Sequence, residues 1–187
     1  MVLIYAAVGA SRLGLTSASR RAMRWAIPAG LVAGAVSATE IVLEYALRPS
    51  DNTAWGLIEF GCVFALFVVA GAGVSARQPR LWPAALAGVW TALIASLIWY
   101  AVALAVFYAF RGTVAQSAVL RAEGDFEDFR RSGMADFNVF AMQDFLGAGF
   151  YHLLLAPLFG LVLATLGAIP AMVWRLWQDK SAAKSAP

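Results

Sequence analysis

Four long apolar runs dominate the chain: Trp25 to Leu47, Trp55 to Val74, Trp82 to Phe110 and Gly149 to Trp174. Each is close to, or longer than, the roughly 20 residues with which a helix crosses the hydrocarbon core of a bilayer. The runs are continuous rather than alternating, and unpaired strand backbone does not survive in lipid, so helices are predicted and strands are not. Aromatic side chains stand at the limits of the runs, where they anchor at headgroup level: Trp25 and Tyr45, Trp55, Trp82 and Tyr108, and Tyr151, Trp174 and Trp177. The expectation is an all-α fold, a four-transmembrane-helix bundle with an amphipathic helical loop between helices 3 and 4.

That loop covers residues 111–146, and there the pattern changes. Phe126 and Phe129, then Phe137, Phe140 and Phe145, recur at helical spacing with charges between them. Gly124 and Gly133 are the expected breaks. Two or three short amphipathic helices are predicted, with their apolar sides on the headgroups or capping the bundle, or else forming a surface for a partner. Residues 178–187 are small and polar and read as a disordered tail. At the other terminus, residues 1–22 read as an extension. Its apolar part precedes Arg12, Arg20 and Arg21, the reverse of a cleaved secretory signal, and Met23-Arg24-Trp25 makes an ordinary start for a first span.

Composition fits a membrane domain of 23–177. The 187 residues are 61% hydrophobic and 13% charged, with mean hydropathy +0.73, outside the range of soluble domains. The net charge of +3 belongs to membrane-flanking loops rather than to a nucleic-acid surface, since no basic helix interleaved with aromatics is present. Cys62 is the single cysteine, which excludes an intrachain disulfide and a multi-cysteine metal site. Nine basic residues flank the spans on the side of the termini and five on the other. Both termini are therefore expected in the cytoplasm, with the membrane expected to be a bacterial cytoplasmic membrane.

Small residues at four-residue steps predict where helices approach: Ala26, Gly30, Gly34 and Ala38 on the first span, Ala84, Gly88, Ala92 and Ser96 on the third, and Gly160, Ala164 and Ala168 on the fourth. Pro157 and Pro170 are kink or boundary points on the last.

Ionisable groups inside a span are costly and mark candidate sites. Glu40 and Glu44 lie four apart on one face of the first span, and the antiparallel path of the chain brings Glu59, Tyr100 and His152 to the same outer level. These five form the candidate polar cluster. Three carboxylates and an imidazole can relay protons, bind a solute or ligate a divalent metal. Alternatively Glu44 and Glu59 are interfacial or paired with Arg48 or Arg111, leaving Glu40 to hydrogen-bond a neighbouring helix. A ferritin-like di-iron centre needs two Glu-x-x-His motifs, and the chain has one histidine. No phosphate loop, metalloprotease motif or nucleophile elbow is present, so no catalytic residue and no cofactor is assigned.

Gly30-Leu31-Val32-Ala33-Gly34, Ala95-Ser96-Leu97-Ile98-Trp99-Tyr100 and Pro157-Leu158-Phe159-Gly160-Leu161, with the long outer loop, resemble a bacterial family of small four-span integral membrane proteins of unknown function. The resemblance spans about residues 25–174. It departs around Ala76 to Trp82, where the family pattern has a longer glycine-containing segment, and at Asp144-Phe145, where it has Asn-Pro. The resemblance implies a four-span fold and transfers no active-site residue. The expected function is a non-enzymatic structural or interaction role, with proton, small-solute or divalent-metal handling through the polar cluster as the alternative. The lipid bilayer is the first expected partner, with a homo-oligomeric or other membrane-protein neighbour next.

Overall fold

The computed structural model describes residues 17–47, 53–77 and 80–185. Among these residues there are six helices and no strand: α1 Ser17–Leu47, α2 Thr53–Ser75, α3 Leu81–Ala109, α4 Val114–Glu123, α5 Asp125–Ser132 and α6 Phe137–Ser185. Four are long and apolar enough to cross a membrane, which makes the chain an integral membrane protein with the all-α bundle its apolar runs imply.

Small residues decide which helices touch. α1 lies along α3, and α6 packs on both α3 and α2. Gly30 and Gly34 of α1 receive Ile94 and Ile98 of α3. A methyl group at Gly88 would collide with the carbonyl oxygen of Gly160, and one at Gly71 with that of Ala164. In lipid, where apolar burial favours no helix pair over another, such backbone-to-backbone contact is the main source of association. Ala84, Ala87, Ala92, Ala164 and Ala168 are buried along the same seams.

Several element limits differ from the pattern reading. The helix that carries the fourth span extends well beyond Gly149 to Trp174, because α6 begins at Phe137, where the Asp136 carboxylate accepts hydrogen bonds from the backbone N–H groups of Asn138 and Val139 at 2.7 and 3.2 Å. Gly147, Gly149, Pro157 and Pro170 all lie within this one helix. Only α4, α5 and the first turns of α6 therefore make up the expected loop. At its other end α6 continues to Ser185, through most of the stretch read as a disordered tail; its alanines and lysines are good helix formers. Ser17 to Ala22, assigned to the extension, are the first turns of α1, and Ala22 is fully buried beside Ala70, Val74 and Ala87. The remainder of the extension, with the question of a start at Met23, lies outside the described residues.

The expected glycine breaks are present. Gly124 and Gly133 have φ of 93° and 71° and end α4 and α5 in the left-handed conformation, which glycine adopts without steric cost. α4 is fixed as a cap on the bundle. Thr113 accepts a hydrogen bond from the Gln116 N–H at 3.2 Å, and the Gln116 side chain donates to the Phe107 carbonyl at 3.2 Å. Val119 is buried against Ile41, Tyr45, Ala103 and Val106. α5 turns its phenylalanines onto α6: Phe126 stacks on Phe137 with centroids 4.4 Å apart, and Phe129 meets Phe140 at 5.6 Å.

Candidate functional site

At the end of the bundle covered by α4 and α5, the helices line a half-open cavity of about 470 Å³. Its walls follow helical periodicity. α1 contributes Glu40, Ile41, Glu44 and Tyr45, α2 contributes Gly56, Glu59 and Phe60, and α3 contributes Trp99, Ala103 and Phe107. From α6 come Ala141, Asp144, Phe145, Ala148 and His152, spaced three or four apart on one face. Leu120 and Glu123 of α4 and Asp125 of α5 complete the rim.

Four of the five candidate residues are thus brought together: Glu40, Glu44, Glu59 and His152. Tyr100 is the exception. It stands next to Trp99 on α3, so the helical rotation carries its ring away, to pack on Gly149 and against Phe145 with centroids 6.3 Å apart. Three carboxylates that the polar cluster did not include, Glu123, Asp125 and Asp144, line the same space. Asp144 lies eight residues before His152, the same face of a continuous helix, a relation hidden when the fourth span was expected to start at Gly149. Glu123 and Asp125 meet the cavity because the left-handed Gly124 folds α5 back from α4.

Six of the chain's eleven acidic residues therefore face one cavity, and among the described lining residues there is no lysine or arginine. The acids of α5 that point elsewhere are paired: Glu127 with Arg130 at 3.0 Å and Arg131 at 3.3 Å, and Asp128 with Arg131 at 3.6 Å. Arg111, one expected partner for the carboxylates, instead lines a separate pocket with Gln116 and Asn138. Arg48 lies outside the described residues. The hydrogen bond between neighbouring helices, expected of Glu40, is made by Glu59, which accepts from the Ser37 hydroxyl.

Crowding of like charges in a partly dehydrated space raises the proton affinity of the extramembrane members. Dehydration of the carboxyl at the rim, then the charges of Glu44, Asp125, Asp144 and Glu40, pushes Glu123 up to about 7, although the residue as a whole is exposed. Burial, then Asp144 and Asp128, pushes Asp125 up to about 6.

The remaining wall is aromatic. Tyr45, Phe60, Trp99, Phe107 and Phe145 line the cavity, and the Trp99 ring stacks on His152 with centroids 4.1 Å apart and planes 18° from parallel. Among the described residues no group of three or more His, Cys, Asp or Glu side chains is placed to hold a metal ion. The carboxylates ring a volume instead of converging on a point, which suits a bulky cation better than a small hard one. No protein-family model matches the chain, and neither the curated proteins nor the solved structures show one similar to it.

Proposed function

We propose that the protein is a non-enzymatic membrane protein that binds a small organic cation, a quaternary or alkyl ammonium group, in the acidic and aromatic cavity at the α4/α5 end of the bundle. This takes the solute-handling alternative of the sequence reading over a purely structural role. The observation that carries it is the coincidence of six carboxylates and five aromatic side chains on one cavity of about 470 Å³.

Each part of the wall has a physical role in that reading. Aromatic faces attract an ammonium group through the ring quadrupole, most strongly for tryptophan, and more so when water is excluded. Carboxylates surrounding a cation gain from attraction and also lose their mutual repulsion. An alkylated ammonium has little hydration to give up, whereas a divalent ion needs a compact shell of oxygen ligands. The excess of basic residues on the side of the termini supports an orientation with the cavity at the outer leaflet and both termini in the cytoplasm. The resemblance of the apolar segments to a family of small four-span bacterial proteins supports the further proposal that the membrane is a bacterial cytoplasmic one.

Equilibrium dialysis of tetramethylammonium against the full chain in nanodiscs of zwitterionic lipid tests the reading. Saturable binding is expected, weakened about tenfold or more, roughly 1.4 kcal/mol, in both a Glu40→Gln/Glu44→Gln variant and a Trp99→Leu variant. Absence of saturable binding, or binding that both variants retain in full, overturns it.

A further inference from the structure

The three carboxylates deepest in the membrane part of the cavity belong to a second space as well. Glu40, Glu44 and Glu59 also form the inner wall of a crevice of about 460 Å³ between α1 and α2. Val32, Val36, Leu43 and Leu47 from α1 and Trp55 and Ile58 from α2 make most of the remaining wall apolar, and the one other polar side chain, Thr39, donates its hydroxyl proton to the Ala35 carbonyl at 2.7 Å. Leu47, Trp55 and Ile58 are 70%, 60% and 58% exposed, so this side of the crevice opens away from the bundle, into the surface that faces lipid. The bond from Ser37 of α1 to Glu59 of α2 holds one carboxylate at the boundary between the two spaces.

From this shared wall we infer that the ligand is a cationic amphiphile: its ammonium group sits in the acidic cavity and its single alkyl chain lies in the α1/α2 crevice, entering sideways from the bilayer. The inference rests on the cation-binding reading above and adds the class of cation. Charge complementarity selects the occupant. An alkyl chain of any lipid fills an apolar crevice, but here the chain's polar end arrives directly against three carboxylates. These favour a cation attached to the chain and disfavour the phosphate that a phospholipid carries at that point. The helix spacing gives the same assignment. Val32, Val36, Leu43 and Leu47 recur at four- and seven-residue steps along α1, while Glu40 and Glu44 lie at the border of that stripe, lining the cavity as well.

The test compares tetramethylammonium with butyl-, octyl- and dodecyltrimethylammonium on the full chain in zwitterionic nanodiscs, each corrected for uptake by protein-free discs. Dodecylphosphocholine and dodecyl sulfate serve as zwitterionic and anionic controls. Affinity is expected to rise along the series, by up to roughly fourfold for each methylene that the crevice covers. Ile58→Trp, which narrows the crevice from its open side, is expected to remove that rise and leave tetramethylammonium binding unchanged, which also shows that the variant is folded. Tetramethylammonium binding with no gain from longer chains overturns the amphiphile and leaves the cation site standing. Equal binding of dodecylphosphocholine or dodecyl sulfate assigns the crevice to ordinary lipid chains and likewise overturns the inference. Failure of every ammonium, short and long, removes the cation site itself.

Discussion

The two ends of the bundle are built on opposite principles. Where α1 begins and α6 ends, helices meet backbone to backbone: Gly71 on Ala164, Gly88 on Gly160, and Gly167 on Val68. Polar groups there are used for closure. The Arg175 guanidinium donates to the Ala76 carbonyl at 2.7 Å, and Arg77 lies over the Trp25 ring at 5.7 Å. Toward α4 and α5 the same helices carry glutamates, aspartates and aromatic rings, which pack in part with one another and leave a cavity between them. Close packing at one end supplies stability that offsets the cost of holding like charges near one another at the other.

The largest expected effect comes from breaking the packed end. Gly88→Ala forces a methyl group into the Gly160 carbonyl and is expected to destabilise the bundle by about 2 to 3 kcal/mol, read as a lowered thermal midpoint in detergent. Gly56→Ala, on the cavity wall with open space around it, is expected to leave that midpoint unchanged. Equal losses at both positions would contradict the contrast between the two ends.

A smaller effect is expected from pH, and only at the cavity end. The Glu123 carboxyl is raised from 4.5 to about 7 and that of Asp125 from 3.8 to about 6, so between those limits the folded protein holds protons that the unfolded chain has released. Their contribution is complete below the unfolded values and is lost as the pH rises through about 6 to 7. The thermal midpoint is therefore expected to fall over that window, and the fall to shrink in Glu123→Gln. Cation affinity runs the other way, strengthening as these groups ionise. A midpoint that is flat with pH, with no difference between the variant and the parent chain, would argue against the crowding of charge at this rim.

The smallest effects belong to the cap over the cavity. Thr113→Ala removes the acceptor at the start of α4 and is expected to cost about 1 kcal/mol, seen as faster hydrogen exchange confined to residues 114–123. Arg131→Ala, which breaks two exposed ion pairs of α5, is expected to change stability by less than about 1 kcal/mol. A larger loss from Arg131→Ala than from Thr113→Ala would reverse the assignment of what fastens the cap.

Much of this architecture is legible in the amino-acid order. Hydropathy alone places four spans, because backbone in lipid has to satisfy its hydrogen bonds within each helix. Small residues at four-residue steps identify the seams, and Gly124 and Gly133 identify the turns. Glu40, Glu44, Glu59 and His152 stand out because charge and imidazole are rare in apolar runs. Tyr100 and Asp144 show the limit of that reasoning. A similar depth in the membrane brought Tyr100 into the expected cluster, but only the rotation of α3 decides that Trp99 faces the cavity and Tyr100 the Phe145 ring. Asp144 falls by pattern in the loop, and it becomes a cavity residue because the Asp136 cap starts α6 early enough to set it on the His152 face.

The sequence by itself determined a helical membrane bundle, its seams and most of its deep acidic residues, since these follow from local composition and period. Only the tertiary structure decided that six carboxylates share one cavity, that Glu123 and Asp125 come from a folded-back cap, and that three glutamates stand between the cavity and a lipid-facing crevice. Those facts depend on helix rotation and on contacts between residues far apart in the chain, which the spacing along any single helix does not contain.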